Sequence, residues 1–229
     1  LTVPGSVAAD TGMDVLTHAT EAYVSQMASD YTDGLALQAI KLVFENLESS
    51  VKNADFHSRE KMHNASTIAG MAFANAFLGI SHSMAHKIGA QFHTIHGRTN
   101  AILLPYVIRY NGTRPAKTAT WPKYNYYRAD EKYQDIARML GLPCSTPEEA
   151  VDAYAKAVYE LGERCGIEMN FKAQGVDEKE WKKHSRELAF LAYEDQCSPA
   201  NPRLPMVDHM QEIIEDAYYG YKERPGRRK

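Results

Sequence analysis

Residues 82–96, HSMAHKIGAQFHTIH, hold four of the nine histidines of the 229-residue chain: His82, His86, His93 and His96. A lone histidine is an ordinary hydrogen-bonded residue, but clustered neutral imidazoles are a ligand set that a borderline divalent metal prefers. A second cluster lies upstream in GMDVLTH, residues 12–18. Asp14 and His18 are four residues apart there. On a helix that spacing stacks both side chains on one face, with Cβ atoms about 5–6 Å apart. His82 and His86 share the same spacing. One carboxylate with three imidazoles makes a mixed oxygen and nitrogen shell suited to Fe(II) or Zn(II). A shell without thiolate points to a catalytic rather than a structural ion. Spacing leaves open which three of the four histidines ligate. A fourth is available for proton transfer if one position is kept for substrate.

Two distant stretches can meet on one ion only if helices carry them together, and helical periodicity dominates the chain. Asp10 or Thr11 is expected to cap a helix through MDVLTHATEAYVS, and Thr32 to cap DGLALQAIKLVFENLESSV. A third helix, Arg59 to Leu78, is rich in Ala and Met, which predicts close neighbours and burial on most sides. Gly79 interrupts, and Ser81 is expected to cap the helix that carries His82 and His86. His96 follows that helix, at a distance from which it could fold back toward the ion in the next turn. TNAILLPYVIRYN then reads as a short helix bent at Pro105.

Residues 111–128, with their prolines and aromatics, read as an ordered surface loop. Helices are predicted over 129–140, 146–165, 177–196 and 206–221, with a Pro-rich connector at 198–205. The second of these opens on Thr146-Pro147-Glu148-Glu149, a capping box with proline at the first helical position. No strand ladder is visible. The expected fold is an all-α bundle of about eight helices in one domain spanning 1–229. Within it, 1–110 is the metal-bearing half and 129–229 a helical C-terminal half. His57, His63, His184 and His209 are expected to be solvated. Glu60 and His63 form a lone ExxH match, whereas di-iron bundles need two such motifs and two further glutamates.

The formal charge of −3 offers no basic excess for nucleic acid or an anionic membrane. The basic tail 224–229 is read as a solvated end. Cys144, Cys165 and Cys197 have no CxxC spacing, so a disulfide framework is not expected and a reducing, cytoplasmic compartment fits. No run of 18 apolar residues occurs. The start, LTVPGSVAAD, lacks the pattern of a signal peptide and an initiator Met, so the chain is expected to begin within a larger protein.

GMDVLTHATEAYVS, followed by SHSMAHKIGAQFHTIHGRTNAILLPYVIRYN and by DQCSPANPRLPMVDHMQEIIEDAY, resembles the metal-binding domain of the iron-dependent (group III) alcohol dehydrogenases. It is most similar to the alcohol dehydrogenase half of bifunctional aldehyde-alcohol dehydrogenases, over essentially the whole chain. The resemblance implies a helical fold of the dehydroquinate synthase-like type, with Asp14, His18, His82 and His96 binding Fe(II) or Zn(II). It implies that His86 lies close to a nicotinamide and acts in proton relay. It also implies interconversion of short-chain aldehydes, such as acetaldehyde, and alcohols with NAD(H), and self-assembly, including filaments, in the full-length protein. His93 takes no role from it; Arg98 and Asn100 sit in the motif as packing or capping residues. The family's glycine-rich GGGS-type turn and α/β nucleotide-binding domain are absent from these residues. By itself the polypeptide is therefore expected to bind metal yet turn over little. Two alternatives are an all-α metal-dependent hydrolase and a non-catalytic helical assembly module. A hydrolase of the HD type would use an adjacent His-Asp pair, and no such dipeptide occurs.

Overall fold

The structure, a computed structural model, describes residues 2–115 and 127–220. Among these residues there are nine α-helices and no strand: α1 Gly5–Val24, α2 Asp30–Lys52, α3 Phe56–Ala76, α4 Ile80–Phe92, α5 His96–Gly112, α6 Ala129–Met139, α7 Pro147–Arg164, α8 Glu178–Tyr193 and α9 Val207–Tyr219, with a single 3-10 turn at Ser198–Ala200. The all-α expectation holds. Most of the expected 111–128 loop and the basic tail lie outside the described residues. No single helix among the described residues is long and apolar enough to cross a membrane.

The helix starts differ from the expected caps. α1 begins at Gly5 behind Pro4, well before Asp10. Asp10 is instead buried inside the helix and accepts from Arg98 Nε at 2.8 Å and from its Nη2 at 3.1 Å. For α2 the cap is Ser29, whose Oγ accepts from the Thr32 amide, while the Thr32 hydroxyl accepts from the Ser29 amide. Thr32 is thus the inner partner of a capping box rather than its first residue. α4 is capped at Gly79, not Ser81. α7 does start on Thr146, which accepts from the Glu149 amide at 3.1 Å. The Glu149 carboxylate reaches past the cap to the Ser145 amide at 2.7 Å.

Burial of α3 also differs from expectation. Only one stripe, Ser58, Met62, Ala65, Ala69, Ala72 and Ala76, is buried. Phe56, Met71 and Phe77 at its edges are exposed. Alanines three and four residues apart make a flat surface on which α1 and α2 pack closely.

Two apolar clusters form the core, and each draws helices from both sides of the 111–128 segment. One joins α1, α2 and α3 to α6 and α7. The other joins α4 to α8 and α9. α5 serves both: Ala101, Leu104 and Ile108 face the first, and Ile102, Leu103, Tyr106 and Val107 face the second. A helix that is apolar on all sides is a central one. It continues through Pro105.

Candidate metal centre

The four residues expected to ligate come from three helices. Asp14 and His18 sit on α1, His82 in the first turn of α4, and His96 at the first position of α5. Two sharp breaks bring α4 and α5 to α1. α3 and α4 meet at 106° across Phe77–Gly79, with Phe77 at φ 61°. α4 ends at His93 in the left-handed region, φ 53° and ψ 34°, so that α5 starts three residues later. His93, which had no assigned role, therefore occupies the turn that returns His96 to α1.

Asp14, His18 and His82 each bring one donor atom to within 4.8 Å of the other two. His18 Nε2 lies 3.9 Å from Asp14 Oδ2, and His82 Nε2 lies 3.7 Å from Asp14 Oδ1. The rings of His18 and His82 stack at 4.6 Å, and Phe73 covers the other face of His18 at 4.5 Å. His96 stands at the edge, its side chain 45 % exposed, with Nε2 3.6 Å from Asp14 Oδ1. The Asn100 amide donates to Asp14 Oδ1 at 2.9 Å and lies 3.1 Å from His96 Nε2. Ligation by His96 requires that amide to release Nε2.

His82 carries the clearest sign of an ion site. Its side chain is 1 % exposed, its Nδ1 lies 2.6 Å from the buried Glu21 carboxylate, and its Nε2 has no hydrogen-bond partner. Buried imidazole nitrogens are ordinarily partnered. A metal ion satisfies such a nitrogen, and the donors around it, the imidazoles of His18 and His96 and the Asp14 carboxylate, are of the kind that fit one.

The protonation states suit that role. Burial opposes the Asp14 charge, but His82, His18 and His96 together outweigh it and hold its pKa down at about 2. Burial lowers His18 to about 4 despite the pull of Asp14, and burial also lowers His96. Burial acts against the charge on His82 too, yet Glu21 and Asp14 overcome it and raise that pKa to about 9. An incoming cation therefore meets an ionised carboxylate and two neutral imidazoles, and takes the place of a proton on His82.

His86 does not join this group. Its ring is 34 % exposed and stacks at 5.6 Å on His96, and its Nδ1 lies 3.1 Å from Asp195 Oδ2. Lys87 Nζ reaches the same Asp195 oxygen at 2.9 Å. Sequence reasoning missed both carboxylates, Glu21 and Asp195. Glu21 left a signal, being seven residues after Asp14 and three after His18 on the same helix face. Asp195 left none, since 109 residues separate it from His86. Of the histidines expected to be solvated, His57 and His63 are exposed, but His184 and His209 are half-buried. His184 packs edge-on to Phe92, and His209 lies against Tyr110 with Nδ1 3.1 Å from its hydroxyl.

Residues 8–218 match the C-terminal domain of the Fe-containing alcohol dehydrogenase family. The chain belongs to that family. It is 95 % identical over all 229 residues to an aldehyde-alcohol dehydrogenase of Streptococcus pneumoniae serotype 2, and spans 26 % of that protein. Its fold superposes on 1,3-propanediol oxidoreductase with a TM-score of 0.83 at 34 % identity, covering 95 % of this chain and 53 % of that one. Against sulfoacetaldehyde reductase from Bifidobacterium kashiwanohense, in complex with NAD+, the TM-score is 0.76 at 27 % identity, covering 94 % and 51 %.

Proposed function

We propose that this chain supplies the metal-bearing part of an aldehyde-alcohol dehydrogenase active site, with Asp14, His18, His82 and His96 as ligands of one divalent ion, Fe(II) or Zn(II). The observation that carries the reading is the buried, unpartnered His82 Nε2 facing Asp14 and His18. When bound, the ion supplies Lewis acidity toward the oxygen of an aldehyde or alcohol. The chain's own residues do the rest. Asp14 lowers the net charge of the site. Asn100 orients that carboxylate by donating to Oδ1. Asp195 holds Nδ1 of His86, leaving Nε2 at the exposed rim to take up or release a proton. Phe73 and the His18 ring close one apolar wall.

NAD(H) completes the reaction in the whole protein, a reading supported by the family and by the NAD+ complex of the reductase above. The name of the pneumococcal relative supports aldehydes and alcohols as the substrate class, and we extend the proposal to short-chain substrates such as acetaldehyde. We also propose that the whole protein self-associates, which light scattering reads independently of metal.

The test is elemental analysis of the parent chain, Asp14→Ala and His82→Ala, with helicity followed by circular dichroism. The parent should carry close to one equivalent of iron or zinc, and both variants should lose it while keeping their helices. Retention of the full metal content in both variants removes the ligand assignment.

A further inference from the structure

α4 begins without a side-chain cap of its own: Gly79 stands at the cap position and has none to offer. Nor is there room for one, because a Cβ at Gly79 would lie 2.7 Å from Asn201 Oδ1 and 3.0 Å from Glu21 Oε1. The free amides of the first turn are met from outside. Glu21 Oε2 accepts from Gly79 N at 3.0 Å, and Glu21 Oε1 from Ser81 N at 2.7 Å. Asn201 Oδ1 accepts from Ile80 N at 3.3 Å. The same Glu21 Oε2 then takes Nδ1 of His82 at 2.6 Å. Glu21 is 2 % exposed. One buried carboxylate on α1 thus holds three donors, two in the backbone of α4 and one in a side chain of the same turn.

We propose that Glu21 is the positioning residue of the metal centre: by binding the backbone and the imidazole of one helical turn at once, it fixes the His82 ring relative to α4 and turns Nε2 toward Asp14 and His18. The inference rests on the reading of His82 as a ligand. A carboxylate suits the task for two reasons. It places negative charge at a helix N-terminus, where the unpaired amides and the dipole favour it. It also accepts the Nδ1 proton, which fixes the tautomer and raises the basicity of Nε2 toward a cation. An amide cannot reproduce this. Glu21→Gln keeps the length but offers one carbonyl oxygen, and its NH2 group must face at least one of the three donors.

The two roles, holding the helix end and presenting the ligand, separate by comparison with Asn201. Asn201→Ala removes a cap from the neighbouring amide of the same turn, together with the paired bonds to Asn111 and the one to Arg203 O, and leaves the bonds of His82 in place. The experiment is Zn(II) affinity by chelator competition, together with the 15N resonances of the His82 ring in the Zn(II)-loaded chain. Glu21→Gln should bind Zn(II) about 10–100-fold more weakly than the parent. Its His82 Nδ1 resonance should move away from that of a carboxylate-bound imidazole. Asn201→Ala should melt earlier yet bind Zn(II) within about threefold of the parent, since no ligand partner is lost. Parental affinity in Glu21→Gln, or an equal loss of affinity in Asn201→Ala, overturns the proposal. Should Glu21→Gln not fold, Glu21→Asp, which keeps the charge but draws back by one methylene, is judged by the same criteria. Failure of the underlying ligand reading shows differently, as Zn(II) binding that survives Asp14→Ala.

Discussion

Gly97 is the second residue of α5, immediately after His96, and it lies against the backbone of α1. A Cβ there would stand 2.2 Å from Asp10 O, 2.8 Å from Asp10 C and 3.1 Å from Asp14 Cβ, where ordinary contact begins at 3.4 Å. The deficit against Asp10 O is 1.2 Å, and the obstacle is helical backbone, not the end of a flexible side chain. In Gly97→Ala the start of α5 must therefore retreat from α1 by about that distance, carrying His96 away from Asp14. Metal–ligand distances tolerate about ±0.2 Å, so a shift on the order of 1 Å exceeds what the shell absorbs. Metal affinity should fall on the order of tenfold or more.

Overpacking of this kind costs about 1–3 kcal/mol, offset by at most about 1 kcal/mol from the better helix propensity of alanine. A net loss of about 1–2 kcal/mol lowers Tm by about 2–8 °C in a chain of this size. Gly70→Ala is the matched control. Gly70 also sits within a helix, α3, with nothing within 4 Å of its would-be Cβ. The same chemical change there should raise Tm by about 2–4 °C and leave metal affinity alone. Calorimetry and metal titration of the two variants decide it. A Gly97→Ala protein that melts at or above the parent with parental affinity refutes the argument that α1 and α5 approach at backbone contact to form the site.

Leu104 is fully buried on the face of α5 that meets the first apolar cluster. Leu104→Ala should cost about 2–5 kcal/mol in urea unfolding, and a loss under about 1 kcal/mol would show that α5 is not the wall between the clusters. Burial first, with charge from neighbouring carboxylates, raises the thiol of Cys165 to about 11 and that of Cys197 to about 12. At pH 8 a disulfide reagent should label one thiol per chain, the partly exposed Cys144, before unfolding releases the other two. Asp55 caps α3, and hydrogen bonds from the Ser58 hydroxyl, the Ser58 amide and the Ser49 hydroxyl lower its pKa to about 2 from 3.8. Its contribution is therefore complete above pH 3.8 and lost as pH falls through about 2. The Tm difference between the parent and Asp55→Ala should narrow across that interval, and a difference that stays constant contradicts the assignment.

What the sequence disclosed of the site was its local geometry. Asp14 with His18, and His82 with His86, share helix faces because 3.6 residues per turn put them there. The place of His96 depended on resemblance, since it needs the left-handed residue His93 to reverse the chain, and positive φ is uncommon enough at histidine that the residue type alone does not announce it. The missing partners are tertiary. Asp10 looked like a helix cap because an Asp before an apolar stripe is the usual N-terminal signal. Arg98, 88 residues on, claims its carboxylate instead. α3 looked buried on most sides because small residues spread over its length. Alanine tolerates water as well as close packing, so composition could not say that only the stripe from Ser58 and Met62 through Ala65, Ala69, Ala72 and Ala76 is covered.

The proposed ligands straddle the division of the core. Asp14 and His18 belong to a helix of the first apolar cluster, His82 to a helix of the second, and His96 to the shared helix α5. Between α1 and α4 the named links are made by polar residues: the three hydrogen bonds to Glu21, the facing Asp14 and His82, and the stacked rings of His18 and His82. An ion held there would be a further link across a seam where the two clusters share no apolar side chain. At a free metal concentration 100 times the dissociation constant, binding adds about 2.7 kcal/mol to the stability of the state that binds. If that energy is spent at the seam, chelation should speed hydrogen exchange mainly at the amides of Ser81 and its neighbours in the first turn of α4. The buried stripe of α3, held by the alanine packing of one cluster, should change little. A uniform acceleration over all nine helices would mean that the ion stabilises the fold globally, and that the two clusters do not open independently at α4.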